Sequence, residues 1–68
     1  MEEEPMLKWF EFDHLKEGVI RGTSSMFARL AGDLVDQVPR SPERTVALRK
    51  LLESKDAAVR CAVDLDRG

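Results

Sequence analysis

Apolar residues recur with a helical period along two stretches of this 68-residue chain. From about Ser24 to Val38, Phe27, Leu30, Ala31, Leu34 and Val38 share one face at ~100° per residue, with Ile20 and Thr23 extending it upstream. Val38-Pro39 ends that pattern. Ser41-Pro42-Glu43 restarts it with an N-cap hydroxyl, a proline at the first helical position and an acid in the first turn. The second pattern runs to about Val63, with Leu48, Leu51, Leu52, Val59, Ala62 and Val63 on one arc. A link this short predicts two antiparallel helices.

The residues before the first helix are harder to place. Trp9 alternates with Glu11 and Phe10 with Phe12, which suggests an extended segment, but ten residues cannot form a sheet alone. A docked arm with a helical turn near Leu15 is the expectation. Gly18 and Gly22 each weaken a helix by ~1 kcal/mol, so a bend is expected between Gly22 and Ser25, with Thr23, Ser24 or Ser25 capping the helix that follows. The pattern divides the chain into an acidic, disordered tail over 1–5, a helical-hairpin domain over 6–63 and a frayed end over 64–68.

Two cations break the second helix's pattern. Lys55 points into the middle of the apolar arc and Arg44 lies near its edge. A cation there snorkels, pairs with an acid, or meets an anion brought by something else. For Lys55 the candidates are Asp33 or Asp36 on the first helix, a carboxylate of a neighbouring subunit, or a ligand phosphate. On a separate face, Arg49 with Glu53 and Asp56 with Arg60 are i,i+4 pairs of opposite sign.

Size bears directly on assembly. Two helices cannot enclose a core, and chains this short usually need a disulfide, a metal or oligomerisation. One cysteine, Cys61, and one histidine, His14, supply neither a disulfide nor a structural zinc set, so a homo-oligomer is expected. No run is long and apolar enough for a membrane span, and the acidic start is unlike a signal peptide; the expected location is the cytoplasm, with Cys61 reduced.

Net charge is −2, unevenly placed: residues 1–17 carry six acids against two lysines, and residues 39–68 carry seven cations against five acids. That argues against duplex nucleic acid and suits a small anionic ligand. There is no Gly-rich phosphate loop, no metal-ligand spacing and no base beside a nucleophile, so neither catalysis nor a cofactor is expected. The candidates for binding are the aromatic arm, whose rings suit stacking on a base, and Arg49 with Lys50, where a guanidinium fork suits phosphate.

The stretch Pro42-Glu43-Arg44-Thr45-Val46-Ala47-Leu48-Arg49-Lys50-Leu51-Leu52-Glu53, followed after Ser54 by Lys55-Asp56-Ala57-Ala58-Val59-Arg60, resembles a signature of small phage-encoded proteins. More distantly, the chain from about Phe12 to Ala62 is similar to the helical-hairpin sponges that phages use against CBASS and Thoeris defence. Phe12-Asp13-His14-Leu15 matches the aromatic and the leucine of an aromatic-Arg-x-Leu element, with Asp13 where that pattern has arginine. Leu30-Ala31 matches a Leu-Ala pair, with Arg29 the nearest cation before it. Ala47-Leu48-Arg49 with Leu52 matches a segment whose arginine contacts cyclic trinucleotides, and Lys50 follows it.

The resemblance implies an all-α fold: an N-terminal arm or short helix, then a long antiparallel hairpin, assembled into a symmetric homo-oligomer with a hexamer favoured. It implies capture of a cyclic di- or trinucleotide messenger in the cytoplasm of an infected bacterial host, without catalysis. The implied ligand-binding residues are Phe12, His14, Arg29, Arg49, Lys50 and Lys55. The alternative is a small oligomeric interaction module with no nucleotide ligand.

Overall fold

The computed structural model describes residues 4–12 and 18–67, and every regular element in them is helical. A 3-10 helix spans Pro5–Phe10, α1 spans Val19–Gln37 and α2 spans Pro42–Arg67. None of these helices is long and apolar enough to cross a membrane.

The hairpin turn forms as its residue types dictate. Ser41 Oγ accepts the Arg44 backbone N–H at 3.1 Å, and Ser41 O accepts the Thr45 N–H at 3.2 Å, so Ser41 is the N-cap and Pro42 opens α2. Glu43 adds an acid to the first turn. At the end of α1 the Val38 N–H still reaches Leu34 O at 2.9 Å, while Val38 itself is extended (φ −114°, ψ 131°), as a residue before proline prefers. The first turn of α2 lies beside the last turn of α1, because Arg44 bonds Val35 O and Val38 O. The helices are therefore antiparallel.

Several expected boundaries are corrected. Helix α1 begins five residues before Ser24, and no bend separates Gly22 from Ser25. Its start is set by Gly18, whose φ of 128° is a backbone conformation that favours glycine. Gly22 continues the helix, its N–H bonding Gly18 O at 2.9 Å. Thr23, Ser24 and Ser25 are thus helix-interior residues, not caps. At the other end α2 continues through Arg67, past the expected end near Val63. The arm's helical turn occupies Pro5–Phe10, where Pro5 suits a first helical position. Leu15, the expected place of that turn, lies outside the described residues.

The core sits where the three elements meet. Phe10, Ala31 and Leu48 are essentially inaccessible, one from each element. Met6, Leu7, Phe27, Ala28, Leu34, Val35, Leu51 and Leu52 close around them. The arm is thus a structural part of the fold, with Phe10 filling the groove between α1 and α2. Not all of α1's predicted apolar face is covered. Leu30 is 47% exposed, and Val19 and Met26 lie in the open as well.

Glu4, expected within the disordered tail over 1–5, is buried and anchors the arm. Its carboxylate Oε2 accepts a bond from Arg44 Nη2 at 2.9 Å. Residues 1–3 lie outside the described residues.

Candidate functional site

Five of the six residues proposed for binding, Phe12, Arg29, Arg49, Lys50 and Lys55, occupy definite parts of this frame. Arg29 is exposed on α1, and Arg49 and Lys50 are exposed on α2. Among the described residues, neither Arg49 with Glu53 nor Asp56 with Arg60 closes an ion pair, so these charges face solvent as separate groups. His14 lies outside the described residues.

Lys55 has a partner of a kind its sequence position does not suggest. Its Nζ donates to the backbone carbonyl of Trp9 at 2.6 Å and lies 5.9 Å from the Phe10 ring centroid. The expected acids, Asp33 and Asp36, belong to the last turns of α1, beside Arg44. Lys55 lies eleven residues beyond Arg44, about 16 Å along α2 at ~1.5 Å per residue. The antiparallel register carries it to the arm. There it satisfies a carbonyl that the end of a short helix leaves without an intrahelical donor.

Phe12 follows the 3-10 helix and is half-buried. The Arg21 guanidinium carbon stands 5.3 Å from its ring centroid, a cation–π arrangement. Phe12, Gly18, Arg21, Gly22 and Ser25 line a small open cleft of about 210 Å³. Gly22 and Gly18 leave it wide, since a Cβ built on either would meet nothing within 4 Å.

A larger cleft, about 430 Å³, opens on the other side of the arm, with walls from all three elements. The arm contributes Lys8, Trp9 and Glu11; α1 contributes Ile20 and Ser24. From α2 come Lys55, Asp56, Val59 and Arg60. Trp9 is 54% exposed, and the Lys8 ammonium sits over its ring at 5.2 Å from the centroid. The two neighbouring aromatics, Trp9 and Phe10, have therefore parted: Phe10 is core and Trp9 is surface.

Ser24 is 1% exposed, yet its hydroxyl has no hydrogen-bond partner among the described residues. A buried polar group left in that state costs about 1–3 kcal/mol. Ser25 differs, bonding Gly22 O through its hydroxyl at 2.8 Å.

Comparison with protein-family models, curated proteins and solved structures finds no match to this chain.

Geometry therefore separates the proposed binding residues. Phe12 and Lys55 line different clefts, while Arg29, Arg49 and Lys50 stand on open helix faces. Sequence reasoning misses Arg21 beside Phe12, which gains its neighbour only from the arm. It singles out Thr23, Ser24 and Ser25 as a helix cap whose hydroxyls also suit a phosphate, whereas the three lie inside α1 and Ser24 lines the cleft beside Trp9.

Proposed function

We propose that this chain is a non-catalytic sponge, a homo-oligomer of helical hairpins that captures a cyclic oligonucleotide messenger and withholds it from a host effector. The observation that carries the reading is the Phe12–Arg21 pair over an open cleft flanked by Gly18 and Gly22. In the sponges this sequence resembles, the corresponding aromatic is followed by arginine, and here Asp13 stands in that place. Arg21, from the first turns of α1, returns a guanidinium to the ring. An aromatic face with an adjacent arginine suits a base and its phosphate together.

Arg49 and Lys50 are the second element of the proposal. They are adjacent exposed cations on α2, and copies brought together by symmetry would surround a cyclic ligand of repeated units. Assembly is proposed on the size of the chain and on the open apolar residues of α1, of which Met26 is 63% exposed. A symmetric hexamer in the cytoplasm of an infected bacterium is the favoured form.

Calorimetry against a panel of cyclic di- and trinucleotides, beside light scattering for mass, tests this. An oligomer that binds one of them supports the sponge, and Arg49→Ala should then weaken binding by ~1.5–3 kcal/mol, the scale of a charged hydrogen bond. A monomer sinks the assembly. An oligomer silent to every cyclic nucleotide favours the second reading, an interaction module, for which the exposed Val19, Met26 and Leu30 of α1 speak.

A further inference from the structure

The cleft between Trp9 and Arg60 is separate from the Phe12 cleft, its Arg60 lies about 16 Å along α2 from Arg49, and its chemistry is specific enough to name an occupant. We infer that it is a binding site for a single purine nucleotide, with the base stacked against Trp9 and the phosphate held by Arg60.

Its volume of about 430 Å³ lies in the range of small-molecule sites, and its walls combine apolar surface with a few polar groups. Trp9, half-exposed with Ile20 and Val59 across the cleft, offers a flat apolar slot that a base fills by stacking. Ser24 lines the same cleft, and its buried hydroxyl, bonded to nothing among the described residues, is the donor assigned to an acceptor nitrogen of the purine ring. Arg60 is exposed at the mouth and forms no ion pair among the described residues, so its planar fork is available to two phosphate oxygens.

Acids also line this cleft, and they fix the orientation. Glu11, on the arm, repels a phosphate and accepts from an exocyclic amine, and Asp56, one helical turn before Arg60, keeps the phosphate to the far side of that guanidinium. A ligand that is anionic throughout is disfavoured, and one with a donor edge at one end and an anion at the other is matched. An amino-purine nucleotide is such a molecule. Lys55, bonded to the Trp9 carbonyl, fixes the backbone that carries the indole and is not assigned to the phosphate.

Trp9 is the single tryptophan, so its fluorescence reports on this cleft alone. The probes are adenosine 5′-monophosphate, adenosine and ribose 5-phosphate, titrated into the full chain. The expected result is saturable quenching by the monophosphate, weaker quenching by adenosine and none by ribose 5-phosphate. Arg60→Ala, at an exposed position where far-UV circular dichroism should remain unchanged, should weaken the monophosphate by more than about tenfold, the factor expected for one charged hydrogen bond. Absence of saturable quenching, or Arg60→Ala matching the parent chain, overturns the site. Calorimetric binding of a cyclic dinucleotide with unchanged Trp9 emission and no monophosphate response overturns this site and leaves the sponge standing. Monophosphate binding by a chain silent to cyclic nucleotides does the reverse.

Discussion

Glu4 and Arg44, forty positions apart, meet at 2.9 Å inside the protein, each side chain less than a tenth exposed. Arg44 does three things at once. It neutralises Glu4, ties the arm to α2, and donates through Nη1 to Val35 O at 3.3 Å and Val38 O at 3.1 Å, carbonyls at the end of α1. Removing one member of a buried pair leaves the other charge uncompensated. Arg44→Ala should therefore cost about 3–5 kcal/mol, read from urea denaturation followed by circular dichroism. In a double-mutant cycle, Glu4→Gln combined with Arg44→Met should cost less than the sum of the two single changes. A loss under ~1 kcal/mol for Arg44→Ala would mean that the pair is solvated.

Phe10 and Trp9 test the docking of the arm. Phe10 is 1% exposed and Phe10→Ala should cost about 3–5 kcal/mol, while Trp9→Ala should cost under ~1.5 kcal/mol because half of the indole is already in water. Equal losses in thermal melts would show that the arm packs on Trp9 instead.

Lys55 gives a smaller, directional effect. Lys55→Met keeps the aliphatic stem along the apolar arc and deletes only the donor to Trp9 O, for an expected loss of at most about 1 kcal/mol at an exposed bond. Lys55→Glu should cost more, since a carboxylate cannot donate to the carbonyl. A Lys55→Met chain as stable as its parent would show the bond to be energetically idle.

Glycines inside α1 are positions for gain. A Cβ at Gly22 or Gly32 meets nothing within 4 Å, and neither needs a left-handed backbone. Gly22→Ala and Gly32→Ala should each stabilise by about 0.5–1 kcal/mol, raising the melting temperature by roughly 2–8 °C. A drop in stability at either position, with the monomer fold intact, would mark the glycine as a place of close approach by another copy.

The legible part of the candidate site is its chemistry, and the illegible part its grouping. Residue type and the resemblance make Phe12 a candidate stacking ring and Arg49 a candidate phosphate ligand. Arg21 over Phe12, and Ser24 beside Trp9, depend on where the arm lies across α1. No local periodicity encodes that placement.

The hairpin follows from residue choice within the chain. Ser41, Pro42 and the helical recurrence from Leu48 onward act within a few residues of one another, so local backbone preferences specify them. The same pattern marks Lys55 as a cation out of place. Which group answers that cation is a matter of packing, and it proves to be a backbone carbonyl of the arm. Packing also converts Glu4 from a tail residue into an anchor and parts Trp9 from Phe10. These outcomes turn on burial, and burial depends on which element covers a side chain, a property that no single helix possesses before the three are packed.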